Sequence, residues 1–182
     1  MLPIFCCRGK LWCIVETQDN FSAMSSLSFF HGSTQTKLDE KNRFVLPQHL
    51  RYGLIEGGEL AFTMGIGPNG SLLIYRHSEI QSLIRQLKDK QYSRQHQNAF
   101  TLFFSTLHPL TCDKLGRVVM PAILKTHAKI SQEIVICGVL DKIEIWSADR
   151  YAEQILGEGG QEQAQVTSLF SLLNQEEEEK IE

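Results

Sequence analysis

The amino-acid sequence predicts an α+β protein, mainly β, made of two tandem copies of one small unit with additional helices. Three observations carry that prediction: a ten-residue segment that recurs, a matching order of short segments after each copy, and turn-forming residues at equivalent places. "LDEKNRFVLP" (residues 38–47) returns as "CDKLGRVVMP" (residues 112–121), setting Asp39 on Asp113, Arg43 on Arg117 and Pro47 on Pro121 at a constant spacing of 74. The agreement runs on, with Leu50 on Leu124, Arg51 on Lys125 and Glu59 on Glu133. After a short slip it resumes, "SLLIYRHSEI" matching "KIEIWSADRY".

Taken in order, each copy opens with a polar strand, "STQTKL" or "LHPLTC", that enters an Asp-x-x-[Asn/Gly]-Arg turn and leaves as a β-branched or aromatic strand, "FVL" or "VVM". Asn42 and Gly116 share one place in that turn, and both residue types accept the positive φ of a tight hairpin. Asp39 and Asp113 begin the turn, where a short carboxylate can accept backbone N–H bonds. Each copy is therefore expected to hold a β-hairpin with a positively charged tip. Pro47 and Pro121 mark the start of a short helix, "PQHLRYGL" and "PAILKTHAKI", because proline suits a first helical turn. "GELAFTMGI" and "EIVICGVL" follow as buried strands, with "LLIY" and "KIEIW" as their partners. Ser78, and Ser147 or Asp149, are candidate caps for the helices after them.

In the first copy the last helix is long. Ile80, Leu83, Ile84 and Leu87 fall at i, i+3, i+4 and i+7, and Phe100, Phe103, Phe104 and Leu107 repeat the spacing with larger side chains. Such a stripe is buried either in the chain's own core or against another subunit.

Composition narrows the function classes. At 182 residues and 42% hydrophobic, the chain can bury a core without disulfide staples. Its five cysteines are an odd number, crowded at Cys6, Cys7 and Cys13 and otherwise far apart at Cys112 and Cys137, a pattern that suits a reducing cytoplasm. The opening "MLPIFCCRGKLWCIV" is interrupted by Arg8, Gly9 and Lys10, so it reads as a disordered leader, or as an over-long start before Met24, rather than an export signal. Cys6, Cys7 and Cys13 lack the two-by-two spacing of a structural zinc site. Cys13 with His31, or Cys112 with His108, has no recognisable catalytic setting, so no catalytic residue, metal or cofactor is expected. From residue 158 onward seven acids face Lys180 alone, which leaves 17 of the 18 cations and 14 of the 21 acids in the body, a balance of +3 against −3 for the whole chain. A mildly basic body with an acidic end is compatible with DNA as a partner, and the Glu176 to Glu179 run reads as a solvated tail.

The two Asp-x-x-x-Arg copies, with "FFHGSTQTKLDEKNRFVLP", "FFSTLHPLTCDKLGRVVMP" and "EIWSADRY" around them, make residues 28–157 resemble the MraZ family of bacterial transcriptional regulators. That resemblance implies two tandem SpoVT-AbrB-like units in a double-psi or swapped-hairpin type of barrel. It also implies a ring-like homo-oligomer that binds double-stranded DNA at short direct repeats in the promoter of the division and cell-wall gene cluster, mostly as a repressor. An antitoxin-like module that binds a protein partner shares the fold and is the alternative. The family usually carries Lys-Gly-Arg in the first turn, where this chain has Lys41, Asn42 and Arg43.

On this reading residues 1–27 are the leader, 28–76 the first copy, 77–104 connecting helices, 105–151 the second copy, and 152–182 a C-terminal helix with the acidic tail. A stiff turn would hold Arg43 where its guanidinium reaches a guanine edge or a phosphate, with Lys37, Lys41 and Arg51 as phosphate contacts and Asp39 and Asn42 bracing. In the second copy Arg117 stands where Arg43 does, with Lys114 as its only close basic companion and Asp113 and Gly116 bracing. The competing expectation is that each Asp–Arg pair simply closes its own turn. A membrane and a small-molecule substrate are not expected, and the location would be the cytoplasm and nucleoid.

Overall fold

The computed structural model describes residues 29–88, 90, 96–157 and 161–178; the expected leader, with Cys6, Cys7, Cys13 and Met24, lies outside them. The first copy supplies β1 (Ser33–Lys37), β2 (Arg43–Val45), α1 (Gln48–Gly53), β3 (Ile55–Glu56), β4 (Glu59–Leu60), β5 (Phe62–Ile66) and β6 (Leu72–Arg76). Two helices follow, α2 (His77–Lys88) and α3 (Gln97–Ser105). The second copy supplies β7 (His108–Leu110), β8 (Arg117–Val119), α4 (Ala122–His127), β9 (Glu133–Val139) and β10 (Lys142–Ser147). The chain then runs through α5 (Ala148–Tyr151), a π-helical turn (Ala152–Leu156) and α6 (Gln161–Glu178).

Six strands form one antiparallel sheet in the order β1-β9-β10-β6-β5-β7. Its outer strands are exchanged: β1 of the first copy pairs with β9 of the second, Thr34 opposite Ile136, while β7 of the second pairs with β5 of the first, Thr63 opposite Pro109. No sheet closes on itself among the described residues. A separate ribbon pairs β2 with β8, Phe44 opposite Val118.

This exchange corrects the expected hairpin. The Asp turn is tight, yet the strands on either side part company, β1 going to β9 and β2 to β8. A local hairpin would leave each copy to bury its apolar residues alone, and a unit that small has too little interior to do so. Exchange puts Phe44, Leu46, Leu50 and Leu54 into one continuous core with Val118, Met120, Leu124 and Ile130.

The helices begin where the sequence indicates. Pro47 (φ −52°, ψ 141°) and Pro121 (φ −59°, ψ 136°) stand in extended backbone immediately before α1 and α4, whose Leu50 and Leu124 are fully buried. "GELAFTMGI" forms two strands rather than one, β4 making a small hairpin with β3 through Gly57 (φ 61°) and Gly58 (φ 86°). Ser147 caps α5, its hydroxyl accepting the Arg150 N–H at 3.4 Å. Ser78 does not cap α2, which begins one residue earlier at His77. The Ser78 amide donates to the Glu56 carboxylate at 3.0 Å and its hydroxyl donates to the same carboxylate. A carboxylate at a helix N-terminus offsets the positive end of the helix dipole, and this one arrives from β3, where no local sequence signal points to it.

α2 turns Ile80 into the core, leaves Leu83 and Leu87 half-buried and exposes Ile84. α3 buries none of its residues, so an intramolecular core does not account for its phenylalanines. α6 runs through Glu178, so the helix takes in Glu176 to Glu178, which the sequence alone presents as a tail.

Phe44→Ala should lower the unfolding free energy by about 3–5 kcal/mol, the usual cost of truncating a buried phenylalanine. Val45→Ala on the same strand, at a side chain 49% exposed, should cost less than about 1 kcal/mol. Urea unfolding of the two variants checks the difference.

Candidate functional site

The two turns are built alike. In the first, the Asp39 N–H donates to the Arg43 carbonyl (2.8 Å) and the Asn42 N–H to the Asp39 carbonyl (2.9 Å). Asp39 Oδ1 accepts the Lys41 and Arg43 N–H groups (2.9 and 2.8 Å), and Oδ2 accepts Arg43 Nε (2.8 Å) with Nη2 at 2.7 Å. In the second, the Asp113 N–H donates to the Arg117 carbonyl (3.0 Å) and the Gly116 N–H to the Asp113 carbonyl (2.9 Å). Asp113 Oδ1 accepts the Leu115 and Arg117 N–H groups, both at 2.9 Å, and Oδ2 accepts Arg117 Nε at 2.6 Å. A carboxylate one methylene longer would overshoot these amides, which is why the position is Asp. The fourth turn residue adopts positive φ in both copies, 54° at Asn42 and 77° at Gly116.

These bonds favour the charged carboxylate. The Arg43 side chain, with the Arg43 amide behind it, holds Asp39 below the ordinary Asp value of 3.8. For Asp113 the Arg117 amide is the largest cause of the same lowering, and the Arg117 side chain adds to it.

The tertiary structure then locks each turn to the other. β2 and β8 run antiparallel with Arg43 opposite Val119 and Val45 opposite Arg117, so the two motifs face each other about Phe44 and Val118. The Gly116 carbonyl accepts the Leu46 N–H at 2.9 Å, and the Asn42 carbonyl accepts the Met120 N–H at the same distance. The next cation along each chain also crosses over. Lys125 Nζ donates to Asn42 Oδ1 at 2.7 Å. The guanidinium of its counterpart Arg51 lies over Gly116, and its Nε is buried without a hydrogen-bond partner. A Cβ at Gly116 would stand 2.5 Å from Arg51 Cζ. This explains why matching turn positions carry different residues: Asn42 offers an oxygen to a slender ammonium, whereas Gly116 clears space for a planar guanidinium.

Of the cations expected at the site, Arg43 and Arg117 line one groove of about 680 Å³ with Leu110, Cys112, Asp113 and Val119. Lys41 and Lys114 are exposed and form no ion pair among the described residues. Arg51 belongs to the second turn rather than the first. Lys37 stands apart on β1, paired with Glu133 at 2.9 Å; the hydrogen bond and charge of that carboxylate raise its pKa. Lys125, not among the cations expected at the site, joins the first turn, and its alignment with Arg51 in the repeat is the sequence signal for that placement.

Burial pushes the Cys112 thiol up to about 11, so it stays protonated near neutrality, and His108 donates from Nδ1 to the Thr106 carbonyl at 2.8 Å. Among the described residues no three His, Cys, Asp or Glu side chains come together as metal ligands, and no helix is long and apolar enough to cross a membrane.

The family model described as "MraZ protein, putative antitoxin-like" matches residues 29–103 and again 103–165. The chain belongs to the MraZ family. Among its MraZ relatives, the "Transcriptional regulator MraZ" of Heliobacterium modesticaldum is 35% identical over 125 residues, covering 68% of this chain and 85% of the relative. The proteins of the same name from Clostridium beijerinckii and Desulforamulus reducens are 37% and 34% identical, covering 68% and 69% of this chain and 85% and 88% of theirs. Each MraZ segment contains one Asp-x-x-x-Arg turn, and most of α6 lies beyond the second.

Two expectations follow from the geometry. Gly116→Ala should destabilise the fold by about 1–2 kcal/mol, the strain of left-handed backbone, with the end of the Arg51 side chain moving aside, whereas Asn42→Gly should cost less than about 1 kcal/mol; denaturant midpoints compare them. Because folding lowers the Asp39 pKa, its contribution is present above the ordinary value of 3.8 and is lost as pH falls below it through the folded value. Asp39→Asn should therefore be less stable than the parent chain at pH 7, with the gap closing as unfolding is measured at steps below 3.8.

Proposed function

We propose that the chain is a sequence-specific, DNA-binding transcriptional regulator that acts as a ring-like homo-oligomer. Its targets are short direct repeats in the promoter of the division and cell-wall gene cluster, its own gene included, and its usual outcome is repression by occupying that promoter. It works in the cytoplasm on nucleoid DNA, without catalysis or a cofactor. The exchanged strands support a swapped-hairpin architecture of the SpoVT-AbrB kind.

The observation that carries this reading is the convergence of both Asp-x-x-x-Arg turns on one ribbon, with Arg43 and Arg117 lining a single groove. Each guanidinium has five N–H donors in a fixed plane. Asp39 engages Nε and Nη2 of Arg43, and Asp113 engages Nε of Arg117, which leaves the outer donors for a guanine edge or a phosphate. Bracing removes much of the rotamer freedom that a free arginine loses on binding. Each Asp–Arg pair is close to neutral, so long-range attraction falls to Lys41, Lys114, Lys125 and Arg51, the cations around the two turns. One ribbon grips few base pairs, and several copies on direct repeats gain through effective concentration rather than stronger single contacts.

Binding to the DNA upstream of the chain's own gene, followed by gel shift and footprinting, tests the reading. Arg43→Ala should weaken the complex by roughly 10- to 100-fold with fold and assembly intact, the worth of a lost bidentate contact. Lys41→Ala should lower the slope of log affinity against log salt by about 0.9. Undiminished binding by Arg43→Ala would sink the assignment.

A further inference from the structure

α2 and α3 enclose an apolar groove between Ile84 and Leu87 on one side and Phe100, Phe103 and Phe104 on the other, in two adjoining cavities of about 460 and 580 Å³. Lys88 and Lys90 stand on its rim, and Arg85 shares the last turn of α2. Elsewhere in the same chain α6 has the opposite character. Val166, Leu169 and Phe170 fall at i, i+3 and i+4 and are 54%, 61% and 61% exposed, and the helix ends in Glu176 to Glu178 with no basic residue in its last turn.

An exposed apolar stripe on a helix normally marks a contact. The acidic last turn adds a second unmet demand, since negative charge at a helix C-terminus opposes the dipole and a cation there relieves it. The groove answers both demands, offering apolar side chains for the stripe and ammonium groups for the glutamates.

We propose that α6 of one copy docks in the α2–α3 groove of a second copy, with its glutamate end against Lys88 and Lys90. The contact rests on the self-association proposed above and names the surfaces that make it. It is a helix-in-groove contact joining two different patches, so it is head-to-tail, and such contacts close into rings when the rotation per copy allows. At 1.5 Å per residue α6 is about 27 Å long, enough to follow both cavities. The acidic segment is then a clamp between subunits rather than a solvated tail.

Carbodiimide cross-linking of a mixture of unlabelled and ¹⁵N-labelled full-length chain tests the contact, with analytical ultracentrifugation alongside. Mixed-isotope peptides joining Lys88 or Lys90 to Glu176, Glu177 or Glu178 are expected. Leu169→Asp with Phe170→Asp should reduce the assembly to smaller species, and so should Lys88→Glu with Lys90→Glu. Adding Glu176→Lys and Glu177→Lys to the second pair should restore it. Cross-links confined to like-isotope peptides would place α6 on its own groove and overturn the proposal. An assembled parent chain without mixed cross-links, unaffected by the α6 substitutions, would overturn this contact while leaving self-association standing; a monomeric parent chain would overturn both.

Discussion

Antiparallel pairing of β2 with β8, three residues each and centred on Phe44 opposite Val118, is the constraint on which the other features depend. It sets the two turns face to face, so that the backbone bond each makes to the strand after the other is made in return. The Leu46 and Met120 amides find their acceptors on the opposite turn, and Phe44 and Val118 enter a single core. Without that ribbon each copy would keep an unpaired strand and a half-filled interior, which a unit of this size does not tolerate. Exchange of the outer strands in the six-stranded sheet follows from the same relation.

The ribbon also decides what the charges do. Asp39 and Asp113 are committed to their turns, and in closing them they orient Arg43 and Arg117 without leaving much net charge. Each turn also receives a cation from the opposite copy, Lys125 at the first and Arg51 at the second, beside its own exposed Lys41 or Lys114. Stability and the presentation of the arginines are thus coupled, since a change at Asn42 or Gly116 disturbs a packing contact and a charge at once. Arg51 illustrates the coupling, because its stem and guanidinium fill space over Gly116 while its charge stays beside the groove.

Outside this body the chain exposes more apolar helix surface than a solitary molecule needs. α3 buries none of its residues and α6 leaves Leu169 and Phe170 open. Surfaces of this kind cost nothing in an assembly that covers them, and in isolation they invite association. Lys88 and Lys90 stand beside the α3 surface and Glu176 to Glu178 end α6, charges of opposite sign that would give the proposed association an orientation.

By itself the sequence determined the duplicated unit, the place and chemistry of both turns, the positive φ at Asn42 and Gly116, and the starts of α1 and α4. All of these are local: a turn carboxylate reaches amides two and four residues away, and proline restricts its own backbone and its neighbour's. Only the tertiary structure decided that the turns do not cap hairpins, that Arg51 and Lys125 change copies, that Glu56 rather than Ser78 caps α2, and that α3 faces outward. The first three are choices between partners far apart along the chain, and the fourth is the absence of any partner for α3 among the described residues of this chain's core. Hydrophobic spacing reports that a side chain will be covered, and it carries no information on what covers it.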